Sequence, residues 1–245
     1  MKQVIKFSFL LFTIIVFTNC SKDVLLMRAS YDSNIMNVKK QVEKGAEVDF
    51  NKIYNETPLY RAAANGSLDI VTYLISKGAN VNYQKQGFIL KSSENIGGRY
   101  KYLIEKVPNG GRTVLTVALL GWGGFDKVIS YLLEKGVKVN YKYIQTNAQP
   151  IIRMGSFTTG EEIGGEGIGT YVPTKEEIET PLTFAITTYK YHYENKHDDK
   201  AKIYKSIIQE LIKYGADKNA INGKGLSAIQ LANIWGLKEI NDVLK

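Results

Sequence analysis

The segment from Asn55 to Tyr83 constrains the fold more than any other part of this chain, because it reads as one closed structural sentence. It runs Thr57-Pro58-Leu59-Tyr60-Arg61-Ala62-Ala63-Ala64-Asn65-Gly66, then Ile70-Val71, Leu74-Ile75 and Lys77-Gly78-Ala79-Asn80-Val81-Asn82. A threonine hydroxyl caps a helix start, and proline suits the first helical position, where no amide hydrogen bond is lost. Leu59, Ala62 and Ala63 give the helix a small apolar face; Gly66 permits a turn, and Ile70, Val71, Leu74 and Ile75 line a second helix. Gly78 then supplies the left-handed residue that ends it.

The unit recurs. Thirty-three residues earlier, Leu26, Ala29, Val38, Val42 and Gly45 fall on Leu59, Ala62, Val71, Ile75 and Gly78, which makes a degenerate first copy. A third opens at Thr113-Val114-Leu115 and reaches Gly136; a fourth opens at Thr180-Pro181-Leu182 and reaches Gly215; a fifth, Ser227-Ala228-Ile229, has Gly236, Ile240 and Leu244 and reads as an end cap. These residues resemble ankyrin repeats, a likeness extending over most of residues 24–245. It implies an all-α solenoid of about five helix-turn-helix repeats, near residues 24–50, 55–83, 111–141, 178–220 and 223–245, with Thr57, Pro58, Gly78, Thr113, Gly136, Thr180, Pro181 and Gly215 as repeat-forming residues. Five copies exceed the three or so that a solenoid needs to bury its shared face.

The spacing between helix-ending glycines is 33 from Gly45 to Gly78, 58 from Gly78 to Gly136 and 79 from Gly136 to Gly215. The surplus predicts insertions at 84–110, 142–177 and 189–202. In the first, Phe88-Ile89-Leu90 and Tyr100-Lys101-Tyr102-Leu103-Ile104 flank a Ser/Gly-rich stretch and predict an enlarged β-hairpin finger. In the second, Tyr141-Lys142-Tyr143-Ile144 and Ile151-Ile152-Arg153-Met154 predict another hairpin before a glycine-rich tip, Gly155 to Gly169. The third is expected to be a solvated loop around Lys190 to Lys200. Binding residues concentrate on loops carried by rigid scaffolds, which makes Phe88, Tyr100, Tyr102, Tyr141 and Tyr143 the candidate partner-binding residues.

The amino terminus carries a different message. Lys2 and Lys6 precede an apolar run from Phe7 to Thr18, and Cys20, the only cysteine, follows. Twelve helical residues rise about 18 Å, short of the roughly 30 Å hydrocarbon core, so the run predicts a secretory signal over 1–19 and not a membrane span. Phe17-Thr18-Asn19-Cys20 resembles the lipobox of bacterial lipoproteins, with Phe17 and Asn19 departing from its usual residues. That likeness implies lipidation of Cys20, a short tether over 20–23, and an exported protein held in the bacterial cell envelope. Folded chain is expected from near Val24, and an extended Ser21-Lys22-Asp23 spans only about 10 to 14 Å.

Composition excludes little. Without Lys2 and Lys6 the formal charge of +8 falls to +6, and the lysines are scattered, with no basic stripe or nucleic-acid-reading motif. The tract Gly164 to Gly169 lacks the lysine of a phosphate loop. His192 and His197, the two histidines, stand beside Glu194, Asp198 and Asp199 without the three firm ligands of a catalytic zinc. The reading is of a monomeric, membrane-anchored adaptor or scaffold that binds another protein, with no nucleic acid, catalytic residue, metal or cofactor. An inhibitor or immunity-type protein against a secreted enzyme or toxin is the alternative, and a metal-dependent enzyme a remote one.

Overall fold

The computed structural model describes residues 22–53, 55–96, 99–107, 110–121, 125–144, 162–165 and 175–245. The chain divides into two compact units, up to Tyr83 and from Gln84 onward. The first holds α1 (residues 22–31), α2 (Ile35–Glu43), α3 (Pro58–Ala64) and α4 (Leu68–Ser76). The second holds the helix pairs α5 (Val114–Leu119) with α6 (Asp126–Glu134), α7 (Pro181–Glu194) with α8 (Asp198–Lys213), and α9 (Ala228–Ile234) with α10 (Lys238–Leu244).

Helix starts follow from hydroxyl chemistry. Thr57, Thr113, Thr180 and Ser227 each accept a hydrogen bond from the amide three residues on, satisfying a donor that the first turn leaves orphaned. In three of them the favour is returned: Thr116, Thr183 and Gln230 side chains accept from the amides of Thr113, Thr180 and Ser227, closing a capping box. Pro58 and Pro181 occupy first-turn positions where their missing N–H costs nothing.

Helix ends follow from glycine. Gly45, Gly78, Gly136 and Gly215 have φ between +76° and +87°. Each donates to the carbonyl three residues back, while the next residue donates to the carbonyl five back, as in Ala79 to Leu74, Val137 to Leu132 and Ala216 to Leu211. This is the Schellman arrangement, with its apolar partner: Ala46, Ala79, Val137 and Ala216 are all buried. Two residues beyond the glycine, neighbouring pairs are locked by side chains reaching from one to the next. Asp49 accepts from the Asn80 amide at 3.0 Å and Asn140 from the Asp217 amide at 2.7 Å, while Asp23 accepts from the Glu47 amide at 2.7 Å within the first pair.

The core is built from the faces this geometry turns inward. All six residues of α5 are buried, as are Leu182 to Ile186 of α7 and Ile207, Ile208 and Leu211 of α8. Tyr204 on α8 donates to the Leu119 carbonyl at 2.6 Å, and burial pushes its phenol up to about 12. Ser130 on α6 donates to the Glu210 carboxylate on α8, 2.8 Å to the nearer oxygen.

Three places differ from, or add to, what the sequence suggests. Residues 189–202 are not a solvated loop: α7 is 14 residues long against 7 for α3 and α9, and α8 is 16 against 9 for α4 and α6. The surplus is shared as seven residues, about two turns, in each helix, so the faces stay in phase. Lys190 and Glu194, at 2.6 Å and one turn apart, and Asp198 and Asp199 in the first turn of α8, favour the extension. Next, β3 (Tyr143–Ile144) pairs with β5 (Ile178–Glu179), just past the second insertion, while residues 151–154, expected as the other strand of a hairpin, lie outside the described residues. Finally, helix α1 is already formed at residue 22, ahead of Val24.

An added Cβ at Gly136 meets nothing within 4 Å, so its requirement for glycine is purely one of backbone conformation. Gly136→Ala is expected to lower the unfolding free energy by about 1 kcal/mol, measured by chemical denaturation. An unchanged midpoint would mean that the left-handed turn is not what the structure shows.

Candidate interaction surface

The first insertion forms β1 (Gly87–Ile96) and β2 (Arg99–Val107), antiparallel from Gly87 opposite Val107 to Ile96 opposite Arg99. The register slips between Leu90 and Ser92, leaving Lys91 as an extra residue in β1, a bulge of the kind that twists a strand. From the glycine-rich tract of the second insertion, β4 (Glu162–Gly165) adds to the other side of β2, with Tyr102 opposite Ile163 and Tyr100 opposite Gly165. The two insertions thus contribute to one three-stranded sheet, ordered β1-β2-β4. Sequence pattern could not reveal this, because Glu-Ile-Gly-Gly has no strand alternation and gains its place from β2.

The base of this sheet is fastened to the helix scaffold. Ile144 donates to the Gly110 carbonyl at 2.8 Å, Lys85 donates to the Arg112 carbonyl at 3.0 Å, and Gly111 donates to the Lys85 carbonyl at 2.9 Å. The Gln84 side chain donates to the Gly111 carbonyl at 2.8 Å. A Cβ on Gly87 would lie 2.5 Å from the Gly110 backbone, so glycine is required there by close approach of the two chains. The attachment ends at Thr113, the cap of α5.

Of the five residues proposed as partner contacts, two prove to be structural. Tyr143 is 1% exposed, with its ring 6.4 Å from Phe184 in an edge-on contact and 6.1 Å from Tyr141. Tyr141 is half-buried and its hydroxyl is hydrogen-bonded to the Thr113 hydroxyl. Burial pushes both phenols above their ordinary range. The β3–β5 pairing sets this strand beside α7, where the Tyr143 ring meets Phe184. Phe88 stands opposite Lys106 in the β1–β2 ladder, and Tyr100 and Tyr102 lie in the central strand. Cys20 lies outside the described residues.

Among the described residues, two of the exposed aromatics that sequence reasoning missed are on the added turns of α7. Tyr191 and Tyr193 are 58% and 57% exposed although they belong to a helix, and Tyr193 stacks on Tyr189 at 5.9 Å. Lys190 lies 5.3 Å from the Trp235 ring centre. Close by, His192 and His197 face each other, with Tyr191 edge-on to both rings. Burial, Lys200 and His197 hold the His192 imidazole below its usual range. Among the described residues no group of three or more His, Cys, Asp or Glu is placed to hold a metal, and no helix is long and apolar enough to cross a membrane.

A family model described as ankyrin repeats (3 copies) matches residues 10–85 and 26–143, which together cover more than half of the chain. The chain belongs to the ankyrin-repeat family. No curated protein matches it. The ankyrin match and the predominance of helix place it in the all-α repeat-solenoid class, and make it a protein–protein interaction module of a kind that is typically non-enzymatic. In this ankyrin-repeat protein the first match reaches back to residue 10, into the apolar run that the export reading assigns to a removed signal.

The Tyr143 hydroxyl is buried without a hydrogen-bond partner among the described residues, so its oxygen contributes no favourable bond while its ring fills the core. Tyr143→Phe is expected to leave stability unchanged or raise it by up to about 1 kcal/mol, and Tyr143→Ala to cost about 3–5 kcal/mol. A Phe variant as damaged as the Ala variant, in thermal denaturation, would refute this account.

Proposed function

We propose that this ankyrin-repeat protein is a lipoprotein of the bacterial cell envelope, held at a membrane through acylated Cys20, whose insertion-built sheet binds a partner protein. The anchor rests on the sequence, an apolar run from Phe7 to Thr18 followed by Cys20, and the structure bears on the length of the tether. Helix α1 is formed by residue 22, the Lys22 ammonium donates to the Lys44 carbonyl at 2.9 Å, and Asp23 accepts from the Glu47 amide. A lipid on Cys20 would leave the first helix pair hardly any tether, keeping that pair near the bilayer. Two or three acyl chains anchor stably where one is marginal, since each buried methylene is worth about 0.8 kcal/mol.

The partner surface in this reading is β1 and β2, with Phe88, Tyr100 and Tyr102. It is supported by the way the sheet is carried: fastened at its base to the cap of α5, and braced by β4 along Tyr100 to Leu103. Loops on a rigid frame lose less entropy on binding than free ones.

Two measurements test the parts separately. In a bacterial host fed an alkyne-bearing fatty acid, the wild-type chain is expected to be labelled and Cys20→Ser unlabelled, with a mature mass starting at residue 20. An unlabelled wild-type protein retaining residues 1–19 would sink the anchor and favour a structural role for residues 10–19. For the surface, Tyr100→Ser with Tyr102→Ser is expected to reduce crosslinked partner recovered from native envelope at least tenfold while helical circular dichroism is unchanged. Undiminished recovery would move the contact elsewhere on the repeats.

A further inference from the structure

The turn between α7 and α8 repeats the backbone geometry of the other helix ends. Lys196, at φ +56°, donates to the Tyr193 carbonyl at 3.2 Å, and His197 donates to the His192 carbonyl at 2.9 Å. That Schellman turn places the side chain after the left-handed residue over the one five positions back. At the equivalent turns the pair is Leu74 with Ala79, Leu132 with Val137, Leu211 with Ala216 and Ala232 with Leu237. In these four the groups that meet are small or apolar and the contact is packing, while at the Gly45 turn Gln41 meets Ala46. At the α7–α8 turn alone among these, both positions are histidine.

In a continuous helix, residues five apart lie about 140° from each other around the axis. Their side chains would diverge. The break at Asn195 and Lys196 removes that divergence, and the result is an Nδ1 to Nδ1 separation of 3.3 Å. Two imidazoles bound to one zinc ion at about 2.0–2.1 Å, with a tetrahedral angle between them, have nitrogens about 3.3–3.4 Å apart; at a right angle, as in square-planar copper, the separation would be about 2.8–3.0 Å. The two rings are in hydrogen-bond contact at this spacing, and little movement is needed for both Nδ1 atoms to share a tetrahedral ion.

We propose that His192 and His197 form a binding site for a divalent metal ion such as Zn2+, each binding through Nδ1. Its frame is firm, being the junction of two long helices and not the loop that sequence spacing suggests. His192 packs 5.5 Å from the Tyr204 ring, and Tyr204 is itself tied to the Leu119 carbonyl. His197 occupies the N-cap position of α8 yet makes no capping bond, so its ring is uncommitted to the backbone. With no third His, Cys, Asp or Glu in reach among the described residues, the remaining two positions belong to water or to a donor from outside the chain. The site is therefore an exchangeable one, open to bridging by an incoming ligand.

The test is a Zn2+ titration of the full-length protein, in detergent and free of any histidine tag, by calorimetry, with Co2+ absorption as the reporter of geometry. One ion per chain is expected, together with the intense visible bands of tetrahedral Co2+. His197→Asn is the decisive variant, since His197 is exposed and asparagine is a good N-cap, so the fold is kept. It and His192→Gln should each weaken Zn2+ binding at least tenfold, with unchanged circular dichroism. Absence of saturable binding, binding that survives His197→Asn, or only weak octahedral Co2+ bands would each overturn the proposal.

Discussion

Everything in this molecule depends on ending helices abruptly. A helix of seven or nine residues is too short to persist by its own backbone hydrogen bonds, because nucleation costs more than so few propagation steps return. It persists only if both ends are satisfied and one face is buried at once. The glycine at each second-helix end meets the first condition by folding the next amide back onto the last turn, and it helps meet the second by tucking an alanine or valine under a leucine in most of these turns. Capping threonines do the same work at the opposite end. Side-chain bridges such as Asn140 to Asp217 then tie one terminus to the next, so that local geometry and stacking cooperate.

The fourth helix pair shows how much freedom that scheme allows. Lengthening both helices by about two turns preserves the phase of their buried faces, so the core continues undisturbed while new surface appears beyond it. That surface is where Tyr191, Tyr193 and the histidine pair stand. Growth of the pair outward, without disturbing its neighbours, is a cheaper route to a new feature than an inserted loop, since helical residues bring their own hydrogen bonds.

Much of this was readable in residue types. Threonine or serine at a helix start, with a hydroxyl or amide side chain three places on, has one economical use, and a glycine before a small apolar residue at a helix end has another. The lengths of the surplus segments were equally plain, but not what they become. Seven extra residues in each of two helices look the same in a count as fourteen in a loop. The destinations of Tyr141 and Tyr143 were hidden for a related reason: their partners, Ile178 and Glu179 in β5 and Phe184 in α7, are long-range neighbours that no local pattern names. Gly164 and Gly165 read as a loop because their strand conformation is conferred by β2.

The pairing of β2 with β4 has a consequence for how the chain comes apart. Tyr102 and Ile163 are neighbours across the sheet, and α5 and α6 lie between them in sequence. About sixty residues of chain therefore form a closed circuit around the third helix pair. Repeat arrays ordinarily unravel one unit at a time from an end, because each touches only its neighbours. A circuit of this kind works against that economy: α5 and α6 are tied, through the sheet, to chain on both sides, and unfolding them while the sheet persists frees only a closed loop, which gains less entropy than an open end. The middle of the array is thus closed on itself through a contact between strands far apart in sequence, the kind of pairing whose loop-closure cost slows assembly.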